Sequence, residues 1–303
     1  AFARVRRAQV KRALQWADVV HLEEPFYLQA VVAQLDRRAG VHDLVTYHIH
    51  PENLTASIYL DRECLLNRMI LELWKRAIFN RSDLVQCPSR SVCERVSKLR
   101  VRAPLLLLSN GVPLGEGVCA DGREAGESAV VRVLVVGRYS REKDQATILR
   151  ALRHSAHARS IQLTFAGRGP TEHSLRASAR RLLRRGVIAH PVRFAFMSAD
   201  ELAREASSCD LYVHAARIEV EGLSALEVLR HGVVPVIARG PLTATSQFAL
   251  SEDSVFEAWD ARALARAIDA WIDRGPAGRQ REARRYRGIG GWYDIRAYVA
   301  RLE

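Results

Sequence analysis

The sequence predicts an α/β protein with two doubly wound parallel sheets, the first of them incomplete. Strand and helix signals alternate along most of the chain, the pattern of parallel strands joined by crossover helices. The series stops at a polar, Gly-rich break near residues 110–128 and then starts again. The length of 303 residues, 48% hydrophobic and 26% charged, suffices for two cores and excludes a disordered chain.

In the first series, apolar runs predict strands at 18–22, 43–47, 83–87 and 105–108, with a long helix through 64–79. Four strands fall short of the six usual in a doubly wound unit. At about 30 residues per strand–helix unit, roughly 60 residues are expected to be missing ahead of a start that reads as mid-helix. We therefore expect an N-terminally truncated first domain over 1–112 and a linker over 113–128. The second series predicts strands at 130–136, 161–166, 192–196, 211–214 and 233–237, with a weak sixth near Val255-Phe256. Its helices are expected at 145–153, 172–185, 199–207, 223–230 and 261–273. A nucleotide-binding domain over 129–285 and a terminal helix over 286–303 complete the plan.

No apolar run reaches the roughly 18–20 residues that span a bilayer, and no long apolar segment follows the basic start. Five cysteines without a C-x-x-C spacing suit free thiols in a reducing cytoplasm. The net charge of +12 is densest at Arg4–Arg12 and Arg176–Arg185. It reads first as solvated helix faces, then as attraction to anionic lipid, which allows a peripheral membrane contact. Nucleic acid is not expected as a partner, because no aromatic-and-basic module accompanies the charge.

The most informative stretch is Glu219-Val-Glu-Gly-Leu-Ser-Ala-Leu-Glu227, just after the strand-like run Cys209–His214. Ligands of open α/β sheets bind beyond the carboxyl ends of strands, where helices begin and free backbone amides face anions. Two carboxylates eight positions apart, with Gly222, Leu223 and Ser224 between them, suit a ligand with hydroxyls at both ends and phosphates in the middle. Earlier, an apolar strand runs into Gly137-Arg138, with Lys143 five residues on; the two cations suit a diphosphate clamp. Gly167-Arg-Gly169-Pro170 reads either as a tight turn or as a wall of the same pocket. Glu221 reads as a solvent-facing or helix N-terminal charge. Pro51–Thr55 reads as a capped helix start or as an acceptor contact. His48 ends a strand, as does His21. The chain has no D-x-D and no metal-ligand spacing, so we expect no metal and no cofactor, fixed cations taking the metal's place.

In this order, Gly137-Arg138…Lys143, Gly167-Arg-Gly169-Pro170 and Glu219-x7-Glu227 resemble glycosyltransferase family 4, a retaining group with the GT-B fold. In that fold two Rossmann-like domains face a cleft that holds the donor. The resemblance spans about residues 17–260 and includes Ala17–Pro25, Val45–His48, Gln86–Ser89 and Leu108–Val112. It implies that Gly137, Arg138, Lys143, Gly167 and Gly169 surround a UDP- or GDP-linked donor, with Arg138 and Lys143 on the diphosphate. It further implies that Glu227 accepts from the ribose diol and that Gly222, Leu223 and Ser224 present amides. Glu219 and His48 would then be the catalytic-side residues, at the transferred sugar. The implied reaction moves a hexose to a hydroxyl of a saccharide, glycolipid or polysaccharide precursor, at the inner face of a membrane or in the cytoplasm.

Three departures qualify the resemblance. The family's first glycine-rich loop is not in this chain, Ala216 stands where a Ser is usual, and Phe194-Ala-Phe-Met197 replaces a Gly after the third strand. The alternatives are a non-catalytic fragment that binds nucleotide sugar or a partner, and a nucleotide-sugar epimerase of the same shape. No G-x-G-x-x-G opens either domain, which argues against a dehydrogenase. Trp292, Tyr293 and Tyr298 are expected on a final helix packing toward the first domain.

Overall fold

The computed structural model describes residues 5–60, 64–113, 130–289 and 293–302. The chain forms two compact units: residues 1–109 with 218–221, and residues 110–217 with 222–303. The expected linker lies outside the described residues except for Pro113.

The first unit has four parallel strands: β1 (Val19–Leu22), β2 (His42–Thr46), β3 (Leu84–Cys87) and β4 (Leu105–Leu107), in that order across the sheet. Parallel strands are covered on their faces, so β3 is nearly all apolar and buried. Val45, Tyr47, Leu71, Trp74, Phe79 and Val85 form the core. The expected long helix is Leu65–Trp74, which continues through Lys75–Phe79 in wider π-type turns. Ser89 caps the helix Arg90–Lys98 by accepting from the Val92 N–H. The segment Ile218–Glu221, expected in the second domain, groups with this unit, and Val220 joins its core. The Ser89 hydroxyl donates to the Val220 carbonyl at 2.7 Å.

The second unit has six parallel strands: β5 (Val131–Val136), β6 (Ile161–Ala166), β7 (Arg193–Ala195), β8 (Leu211–His214), β9 (Val234–Arg239) and β10 (Val255–Glu257). Their order is β10-β9-β8-β5-β6-β7. The chain runs outward from β5 through β7, then returns to the other side of β5 and runs outward again. This places the topological switch point between β5 and β8. Helices begin at good caps: Ser198 accepts from the Glu201 N–H, and Asp260 from Arg262 and Ala263. Helix Gly275–Arg287 had no counterpart in the sequence reading. It buries Tyr286 and little other apolar surface, so it carries no apolar stripe to read.

At the C-terminus, Val112 and Asp294 form a parallel bridge, Tyr293 stacks edge-on against Phe248 at 5.1 Å, and Ile295–Leu302 is helical. All of these belong to the second unit. Trp292 lies outside the described residues, as does the side chain of Tyr298.

Candidate functional site

Beyond β5 the backbone leaves the sheet through Gly137 at φ +143°, and beyond β6 through Gly167 at φ +151°; side chains rarely adopt such values. The two loops pack backbone to backbone. A Cβ on Gly167 would overlap the Gly137 carbonyl oxygen, and one on Gly169 would lie 2.7 Å from the Tyr139 N. Hydrogen bonds from Gly137 N–H to Ala166 O, from Tyr139 N–H to Arg168 O and from Thr171 N–H to Tyr139 O lock the pair together. Both readings of the Gly-Arg-Gly-Pro turn therefore hold: it is a tight turn, and it walls a cleft.

That cleft, about 370 Å³, lies beyond the ends of β5, β6 and β7. Its lining includes Gly137, Arg138, Gly167, Arg168, Phe196 and Met197. The Arg168 guanidinium lies over the Phe196 ring at 4.3 Å from its centroid, and the ring is 68% exposed. The sequence reading noted Phe194–Met197 only as a departure and missed this cation–aromatic wall.

Arg138 is exposed, but its guanidinium is aimed by Glu142, whose Oε1 accepts at 2.6 Å. Burial alone would raise the Glu142 carboxyl. Hydrogen bonds from Ser140 and Arg138 outweigh burial and hold it below the ordinary range, so it stays a carboxylate. Lys143 is half-buried in the same turn. The turn is braced from β8's side by Arg217: its N–H donates to the Glu142 carbonyl at 2.8 Å and its guanidinium to the Arg141 carbonyl at 2.5 Å. The same guanidinium lies 3.6 Å from Asp144, a non-glycine residue at φ +46°. Burial raises the Asp144 carboxyl, against hydrogen bonding from Thr147 and the charge of Arg217. Neither Glu142 nor Arg217 was a candidate from sequence, because their partnership is made by the fold.

After β8, Gly222 sits at φ +99° and begins the helix Leu223–Leu229. A Cβ there would meet the Thr245 hydroxyl at 2.6 Å. Leu223 and Glu227 are exposed and Ser224 is half-buried. Glu227 keeps solvent contact, yet the protein around it strips enough water to raise its carboxyl, against the pull of Arg230. β8 neighbours β5 at the switch point; Gly137–Arg138 directly follows β5, and Gly222–Glu227 follows β8 after residues 215–221.

Glu219 and His48 belong to the first unit, separate in chain grouping from Glu227. His48 follows β2 half-buried; burial lowers its basicity first, with His21 adding to the effect and Glu23 opposing it. His21 itself bonds Thr46 at 2.7 Å. The neighbouring His50, read from sequence only as sharing a face with His48 without further metal ligands nearby, is the more constrained histidine. Its Nδ1 accepts from the Arg95 guanidinium at 3.0 Å and lies 3.0 Å from the Tyr47 hydroxyl. Arg95 also donates to buried Glu52 at 2.8 Å. Burial and the Arg95 charge push His50 down to about 3, with Glu219 pulling the other way. Pro51–Thr55 is a helical turn, and the His50 N–H donates to Asn53 Oδ1 at 2.9 Å. Of the two expectations for Glu221, the solvent-facing one is corrected: it is buried, directly before the Gly222 cap of the helix, and it accepts a hydrogen bond from the Ser109 hydroxyl.

A doubly wound parallel sheet, with glycines where the chain leaves neighbouring strands, defines a Rossmann-like domain. Two family models match the chain: one described as Glycosyl transferases group 1 over residues 127–288, and one as Glycosyltransferase Family 4 over residues 1–116. The chain belongs to glycosyltransferase family 4. It is similar to an alpha-monoglucosyldiacylglycerol synthase of Streptococcus pneumoniae, with 26% identity over 238 residues, 74% of this chain and 52% of that protein. The chain thus spans about half the length of that relative. Among solved structures it resembles Anabaena HepE in complex with UDP and glucose, with a TM-score of 0.78 and 15% identity over 98% of this chain and 79% of that one. It also resembles a UDP-forming alpha,alpha-trehalose-phosphate synthase of Burkholderia xenovorans, with a TM-score of 0.69 and 14% identity over 97% of this chain and 77% of that one. These likenesses establish the GT-B fold.

Proposed function

We propose that the chain carries the donor half of a retaining hexosyltransferase that uses a nucleotide-diphosphate sugar, with a uridine donor favoured. The observation that carries this reading is the switch-point arrangement. Arg138 is held by Glu142 beyond β5, Gly222–Glu227 begins a helix beyond the adjacent β8, and the Phe196–Arg168 wall lines the cleft next to them. Arg138 and Lys143 would take the diphosphate, and as fixed cations they would offset the charge of the departing phosphate without a metal. Glu227 would accept from the ribose diol, and the exposed face of Phe196 offers a stacking surface for the base.

In the reaction, the bond between the sugar C1 and the phosphate oxygen breaks, and a bond from C1 to the acceptor oxygen forms on the same face. The acceptor proton passes to the leaving phosphate. Glu219 and His48 are proposed to face the transferred sugar. Structures of similar fold hold UDP, which favours uridine over guanosine. The synthase relative suggests a lipid hydroxyl as acceptor and a peripheral membrane site of action.

Calorimetry with UDP-glucose and GDP-mannose, followed by a turnover assay with a diacylglycerol-type glycolipid, tests the reading. Binding of UDP-glucose with acceptor-dependent release of UDP supports it. Binding without turnover favours a non-catalytic nucleotide-sugar binder, and UDP release without acceptor favours an epimerase. No binding to either donor removes the reading.

A further inference from the structure

A surface helix normally turns polar residues outward. Helix Leu65–Trp74 does not. Its inner face buries Asn67, Leu71 and Trp74, and its outer face carries Leu65, Leu66, Met69 and Leu73. Positions 65, 69 and 73 repeat at the four-residue spacing of one helix stripe and are 74%, 61% and 63% exposed. The turn just before the helix adds Ile58 and Tyr59, 61% and 73% exposed, with Tyr59 at φ +66°. The turn is fixed to the helix from inside: buried Asn67 donates to the Leu60 carbonyl at 3.1 Å, and Thr55 donates to the same carbonyl at 2.6 Å. One rigid element of the first unit therefore presents six large apolar side chains to solvent. Lone exposed apolar residues are ordinary, but a contiguous set of this size marks an interaction surface.

Charge selects the partner. Between Ile58 and Ser82 the chain carries Arg62, Arg68, Lys75, Arg76 and Arg81 against Asp61, Glu63 and Glu72, with Glu72 paired to Lys75 and Arg76, within a protein of net charge +12. Leucine and methionine flanked by cations, with a tyrosine at the margin, match a membrane interface: side chains enter the acyl boundary while cations meet anionic head groups. We propose that this face, Ile58-Tyr59 with the 65/69/73 stripe, docks the protein onto an anionic lipid surface. The docking is a property of the first unit alone; only its purpose, reaching a lipid acceptor, rests on the proposed function.

The test is co-sedimentation of the whole chain with acceptor-free vesicles of phosphatidylcholine, with or without about 30% phosphatidylglycerol to supply anionic head groups. Calorimetry of UDP-glucose binding runs in parallel as a control on the second unit. The parent should bind the anionic vesicles at least about tenfold better than the neutral ones. Leu65→Ser/Met69→Ser/Leu73→Ser should lower that binding by about three orders of magnitude, since each buried side chain contributes roughly tenfold. Leu73→Ser alone should lower it about tenfold and guards against misfolding of the triple variant. Donor binding should be unchanged in both, so a failed donor reading would show in calorimetry and a failed docking reading in sedimentation. Equal vesicle binding by parent and both variants overturns the proposal. So does a parent that ignores vesicles but forms dimers that the variants dissociate, which would make the face a contact between copies.

Discussion

At the scale of single residues, Arg138 shows how a fold aims a flexible cation. Two-thirds of its side chain is in water, yet Glu142 holds its guanidinium in one direction at 2.6 Å. Arg138→Ala should weaken UDP-glucose binding about tenfold or more, as expected for a lost charge-assisted contact, with the melting temperature nearly unchanged. Glu142→Gln should reproduce part of that loss although Glu142 touches no proposed ligand atom; calorimetry on both variants checks the coupling. Gly169 is constrained by space rather than dihedral angle, since a Cβ there would meet the backbone of Tyr139. Gly169→Ala should therefore destabilise the second unit by about 1–3 kcal/mol, the range for overpacking, measured by urea unfolding. A variant as stable as the parent would show that the two glycine loops separate easily.

At the scale of elements, the turn after β2 and the segment Ile218–Glu221 are held by buried polar pairs. His50 is kept neutral by burial and by the Arg95 guanidinium, which lower it from 6.5 to about 3. The unfolded chain takes up a proton between those values and the folded chain does not, so the unfolded state binds more protons there. Stability is full above about pH 6.5 and falls as the pH drops toward 3. The parent should lose more stability between pH 7 and pH 4.5 than His50→Gln does, read from urea midpoints. An identical loss in both would assign the acid sensitivity elsewhere. Val220 is the apolar anchor of its segment, and its carbonyl accepts from Ser89. Val220→Ala should cost the first unit about 1–2 kcal/mol through a small cavity, measured by the same unfolding method.

At the scale of the molecule, the excess of 46 lysines and arginines over 34 aspartates and glutamates surrounds the chain with a positive potential. Such a field draws anions toward a basic cleft and is screened by salt. The association rate of UDP-glucose should fall several-fold between roughly 50 and 500 mM NaCl, by stopped-flow fluorescence, while the dissociation rate changes little. A salt-independent association rate would remove steering from the account.

Strands were readable because their chemistry is local. The mostly apolar runs at Ile161–Ala166 and Leu211–His214 coincide with observed strands, since a strand covered on both faces is largely apolar. The strand expected to end at Ile237 runs on to Arg239, because Phe256 and Glu257 pair with Ala238 and Arg239. Glycines at strand ends were legible for a similar reason: a backbone leaving a sheet at positive φ needs them whatever lies nearby. By itself, then, the sequence determined the alternating α/β plan, the glycines where the chain leaves β5 and β6, and the family resemblance that the matches bear out. Only the tertiary structure decided that Glu142 and Arg217 shape the Arg138 turn, that His50 rather than His48 is the locked histidine, and that Glu221 is buried. Apart from the local pair Arg138–Glu142, those outcomes depend on groups brought together from 45 to 112 positions apart, as in His50–Arg95 and Ser109–Glu221. Residue spacing along one chain carries no record of such meetings, because desolvation and hydrogen bonding act on distance in space.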